Sequence, residues 1–69
     1  MTDEQWEKIR PFVDAEAKAR MAYEGWGSTN VNQPTERERI EVKLGFEHAT
    51  LELIQASNNL RAALKEAGL

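Results

Sequence analysis

The sequence predicts an all-α protein. It reads as an antiparallel helical hairpin, its first segment kinked or broken at Pro11 and its second helix long, packing into a homo-oligomeric helical bundle. Three observations predict this. Apolar residues recur at helical spacing in two long stretches. One cluster of Gly, Ser, Asn and Pro divides them. The apolar positions outnumber those that a two-helix contact can cover. The 69 residues make one domain, helical over 3–24, looped over 25–34 and helical again over 35–67.

The first helix has a start signal. Thr2 is an N-cap residue, and Gln5 three positions on completes a capping box. Pro11 then removes one backbone donor and crowds the preceding turn, so the segment kinks there or splits into two helices. Residues 12–23 are rich in Ala, Glu, Lys, Arg and Met, which favour helix. Gly25 is placed to be the left-handed residue that ends it.

The loop that follows carries Trp26, Ser28, Thr29, Asn30 and Asn32 and closes on Pro34. A second capping box, Thr35 with Glu38, opens the long helix, and Glu36 and Glu38 suit the positive end of its dipole. No proline interrupts the stretch to Ala67, and Gly68 stops it. Gly45 is the weak point inside, costing about 1 kcal/mol against Ala. A helix of this length spans about 48 Å, so part of it projects beyond the shorter first segment.

Within the long helix, Val42, Phe46, Ala49, Leu53, Ala56, Leu60, Ala63 and Ala67 step by alternating fours and threes. That is a heptad seam, and its alanines allow close approach of a second helix. The first segment offers Phe12, Ala15, Ala19, Ala22 and Trp26 to it. Ile40, Leu44, Leu51, Ile54 and Leu64 lie beside the seam, and Trp6, Ile9, Val13, Ala17 and Met21 make a second stripe on the first segment. Leftover apolar surface of this kind marks interfaces, hence the expected homo-oligomer. A monomeric three-helix bundle, split at Pro11 and the loop, is the alternative fold.

Composition excludes several classes. There is no cysteine, hence no disulfide or thiolate metal site, and the lone His48 is too little for an imidazole-rich zinc site. A net charge of −3 and a pI near 5.1 argue against long nucleic acid and anionic membranes as partners. No apolar run is long enough to span a bilayer, and the acidic start is unlike a signal peptide, so a cytoplasmic location is expected.

No nucleophile–base set, phosphate-binding glycine loop or His-Glu-x-x-His motif is present. The reading is therefore non-enzymatic, without metal or cofactor. One electrostatic feature stands out. Arg37, Arg39 and Lys43 cluster at a helix start, where backbone N–H groups and the dipole already favour anions. Tyr23 and Trp26 lie close in sequence to supply stacking surfaces. Together these five residues predict a site for a small anionic, aromatic ligand such as a nucleotide. The bland reading of the same residues is a solvated face, since Glu36, Glu38 and Glu41 neutralise the cations and Trp26 caps the hairpin core.

Arg37-Glu38-Arg39, followed after six residues by Phe46-Glu47-His48-Ala49, resembles the second helix of the phage anti-CBASS and anti-Thoeris sponge proteins. In that family the helix opens Arg-Glu-Arg after a short turn and runs on into Leu-Glu-Glu-Ala. Arg37, Glu38, Arg39, Glu47 and Ala49 match by identity and Phe46 by type, while Glu52, Leu53 and Ile54 depart from the pattern. The resemblance implies a small helical oligomer, not an enzyme, that holds a cyclic oligonucleotide or cyclic ADP-ribose immune signal between protomers and so blinds a bacterial defence. Two other readings stand beside it: an acidic helical inhibitor that docks on a host protein, as anti-CRISPR proteins do, and a structural hairpin. For the inhibitor, Trp6, Ile9, Val13 and Met21 would be the docking face.

Overall fold

A computed structural model describes residues 1–28 and 35–69. They form two helices, α1 (Asp3–Ser28) and α2 (Glu36–Glu66), with no strand among the described residues. The helices run antiparallel: Gln5, at the start of α1, reaches Ala67 just past the end of α2, while Tyr23, near the end of α1, meets Phe46. The rod measures 51 × 15 × 12 Å. The expected helical hairpin is thus present.

Each helix end has a local cause. Thr2 and Gln5 form the reciprocal cap, Thr2 N–H donating to Gln5 Oε1 at 2.9 Å and Gln5 N–H to Thr2 Oγ1 at 3.1 Å. Thr35 caps α2 in an extended conformation, its hydroxyl accepting from Glu38 N–H at 3.1 Å. At the far end Gly68 is left-handed, with φ 80°. Gly68 N–H donates to the Lys65 carbonyl and Leu69 N–H to that of Leu64, closing a Schellman motif.

Three expectations about α1 are corrected. Of the kink or break expected at Pro11, the break does not occur: α1 is a single helix of 26 residues with Pro11 inside it. Pro11 is exposed, so the turn that lacks its donor lies on the solvent side of α1, where an unpaired carbonyl costs little. Nor does Gly25 end the helix. α1 continues to Ser28, four residues beyond the expected 24, and Gly25 is not left-handed.

The third correction concerns which side of α1 packs. Ile9, assigned above to the outer stripe, is 2% exposed and sits at the heart of the contact, with Val13 half-buried beside it. Ala15 and Ala22, assigned to the inner stripe, are exposed. The inward line runs through Gln5, Ile9, Val13, Glu16, Ala19 and Tyr23. Two of those residues are polar, so hydrophobicity alone traced a neighbouring line. Gln5 is accommodated because its Nε2 donates to the Ala67 carbonyl at 3.0 Å. Glu16 is accommodated because Arg20, one turn on, donates from Nη2 to Oε1.

On α2 the seam lies as expected. Ala49 and Ala63 are buried, and Val42, Phe46, Leu53, Ala56, Leu60 and Ala67 are half-buried. Yet no large side chain is fully buried among the described residues. The accessible surface is 5535 Å², whereas a globular monomer of this mass leaves about 4,400 Å².

The helices are flush at the Gln5–Ala67 end. Counting along both helices from that pair and from Tyr23–Phe46, Ser28 lies level with a point between Glu41 and Leu44. The first two turns of α2 therefore project about 10 Å past α1, at 1.5 Å per residue.

Candidate functional site

The projecting turns carry the predicted cations. Arg39 and Lys43, four residues apart, fall on one flank of α2. With Glu36 and Ile40 they line an open depression of about 260 Å³. The arrangement sets two cations and one carboxylate around an isoleucine that is 58% exposed. Further along the same flank, Phe46, Glu47, Thr50 and Leu51 line a second open depression of about 420 Å³.

Arg37 is not part of this group. Two residues before Arg39, it lies well round the helix from it, and its Nε donates to Glu41 Oε1 at 3.0 Å. Its side chain is 88% exposed, so that ion pair is screened by water and contributes little.

Tyr23 and Trp26 are placed by the hairpin contact. The Tyr23 ring lies 5.0 Å from that of Phe46, tilted by 39°. Trp26 lies across Gly45: a Cβ added there would come within 2.6–2.7 Å of the indole atoms Cζ2, Cε2 and Cη2. Gly45 is therefore a seat that only a residue without a side chain provides, and not merely a weak point in the helix. The sequence signal was available, a lone glycine facing a tryptophan across the loop, but it needs the pairing register to be read. Both rings are spent in part on the α1–α2 contact, and neither lines the Arg39–Lys43 depression. The loop residues Thr29, Asn30 and Asn32, named above for polar contacts, lie outside the described residues. So does Pro34.

His48 Nε2 meets Glu52 Oε1 at 3.0 Å on the exposed surface. Among the described residues no group of three or more His, Cys, Asp or Glu is arranged to hold a metal ion, and no helix is long and apolar enough to cross a membrane.

In one copy, the Arg39–Lys43 depression can attract a small anion but hold it only loosely. Exposed charge pairs are each worth about 0–1 kcal/mol. At about 260 Å³ it is also below the roughly 300–1,000 Å³ of enclosed ligand sites. A second wall is required for tight capture. No protein-family model matches the chain, nor does any curated protein or solved structure.

Proposed function

We propose that the chain is a non-enzymatic, phage-type anti-defence protein. It sequesters a cyclic oligonucleotide or cyclic ADP-ribose immune signal at the interface of a homo-oligomer, in the cytoplasm of the infected host. The observation that carries this reading is the Arg39–Lys43 pair beside exposed Ile40, on a part of α2 that α1 leaves uncovered. The likeness of residues 37–49 to the sponge family supports it from the sequence side. Arg39 and Lys43 meet phosphate, and a second copy supplies the missing wall. Arg37 joins only by releasing Glu41, and Tyr23 or Trp26 supplies the stacking surface for a base.

Native mass spectrometry with a panel of cyclic di- and trinucleotides and cyclic ADP-ribose tests this. The expected result is an oligomer that gains a defined number of ligand masses. The double variant Arg39→Glu, Lys43→Glu should lose them while keeping its helicity. An absence of adducts across the panel would overturn the reading.

A second reading keeps one observation of its own. The outward side of α2 exposes Leu44 and Leu51 by 59% and 66%, which suits a module that docks on a host protein. The docking face first assigned to that module is divided: Ile9 and Val13 turn into the hairpin, while Trp6 and Met21 stay exposed. A protein that stays monomeric and captures no nucleotide would favour this second reading.

A further inference from the structure

We propose that two copies of this chain associate through the outer face of α2, with their α2 helices antiparallel. Ile40, Leu44, Leu51 and Ile54 are 52–66% exposed and follow one another by four, seven and three residues. At 3.6 residues per turn they form a single stripe on the side of α2 opposite the seam. It is a second heptad line, and no described residue of α1 packs against it. The back of α1 is different. There Met21 stands out among Arg10, Asp14 and Lys18, and no apolar stripe forms.

Area names the occupant. The surface of 5535 Å² exceeds the globular expectation by about 1,100 Å². A standard interface removes about 800 Å² from each partner, so one further copy absorbs the excess. Charge sets the direction. With Leu51 against the partner's Ile40, Glu47 comes level with the partner's Lys43 on one flank of the stripe. On the other flank, Glu41 comes near the partner's His48, whose ring N–H can donate to a carboxylate as it does to Glu52 within the chain. Two-fold symmetry gives each pairing twice. A parallel arrangement in register sets Glu36 beside the partner's Glu41 and loses both. This association deepens the reading above, because it brings each Arg39–Lys43 pair to the edge of a shared surface. Its test uses no nucleotide, so the two can fail separately.

Sedimentation equilibrium over a concentration series should give twice the 7.9 kDa chain mass, or an even multiple of it. Leu51→Glu should raise the dissociation constant about a hundredfold or more, as loss of a central apolar anchor does, and Met21→Glu should leave it unchanged. Lys43→Glu and Glu47→Lys should each weaken association, and together restore it. If Leu51→Glu fails to fold, cysteine cross-linking decides in its place, the chain having no native cysteine. Ile40→Cys with Leu51→Cys should give a covalent dimer on oxidation, whereas Met21→Cys should not. A wild-type chain that stays monomeric throughout overturns the proposal and leaves the face to a different protein. So does a dimer that Met21→Glu breaks and Leu51→Glu spares.

Discussion

Seen from its two sides, α2 inverts the usual order of a helical surface. Its inward face is Val42, Phe46, Ala49, Leu53, Ala56, Leu60, Ala63 and Ala67, half of them alanine. Its outward face carries Ile40, Leu44, Leu51 and Ile54, none of them small. Alanines let two backbones approach closely but bury little apolar area each. Leucine and isoleucine carry the larger transfer energy, about 1.5–3 kcal/mol per buried side chain, and here they meet water. The hairpin contact is therefore tight and thin. It specifies how the helices lie more than it supplies stability, and the larger apolar payload stays exposed in the single hairpin.

The sharpest way to break this contrast is to enlarge the thin side. Ala49→Leu puts three more carbons where only 2% of the residue is exposed, and should cost about 1–3 kcal/mol in urea unfolding. Ile9→Ala, across the same contact, should cost at least as much, about 2–4 kcal/mol, because Ile9 is the largest of the buried aliphatic residues. Unchanged midpoints for both would mean that the helices do not pack along this line.

Gly45 gives a finer test. Replacing it by alanine gains about 1 kcal/mol of helix propensity but collides with the Trp26 ring. The net effect should be destabilising by about 1 kcal/mol, accompanied by a change in tryptophan emission. In a Trp26→Ala background the same substitution should turn stabilising. That reversal in a double-mutant cycle isolates the contact. A Gly45→Ala effect of the same sign in both backgrounds would dissociate Gly45 from Trp26.

The smallest effect belongs on the outward side. Leu44→Ala, measured where only single chains are present, should stay within about 0.5 kcal/mol of the wild type. A large loss there would mean that Leu44 is already buried in the isolated hairpin.

The seam of α2 was legible because its lining is wholly apolar and no polar residue interrupts the four-three rhythm. On α1 the same method traced the wrong line. Gln5 and Glu16 face inward, and each is made tolerable by one partner, the Ala67 carbonyl and Arg20. Neither partner can be chosen from hydrophobicity, and Ala67 is sixty-two residues away from Gln5. Both capping boxes and the stop at Gly68 were readable because their causes are local. Gly25 misled because a glycine near a helix end acts as a stop only when its backbone turns left-handed. At the candidate site, the Arg39–Lys43 pairing follows from spacing alone. Arg37 was grouped with them by proximity in sequence, although two residues carry a side chain far round the helix. The tasks of Tyr23 and Trp26 depended on which residues of α2 stand opposite, and the register shows that only once the helices are paired.

The bond from Gln5 to the carbonyl of Ala67 has a practical side. It draws both chain ends to one tip of a rod 51 Å long, while the cationic turns of α2 occupy the other. A purification handle, dye or surface linker fused at either terminus thus stands about 40 Å from Arg39, at 1.5 Å per helical residue. Immobilised by its ends, the molecule presents the cationic tip outward, the orientation in which the proposed site stays open to solution.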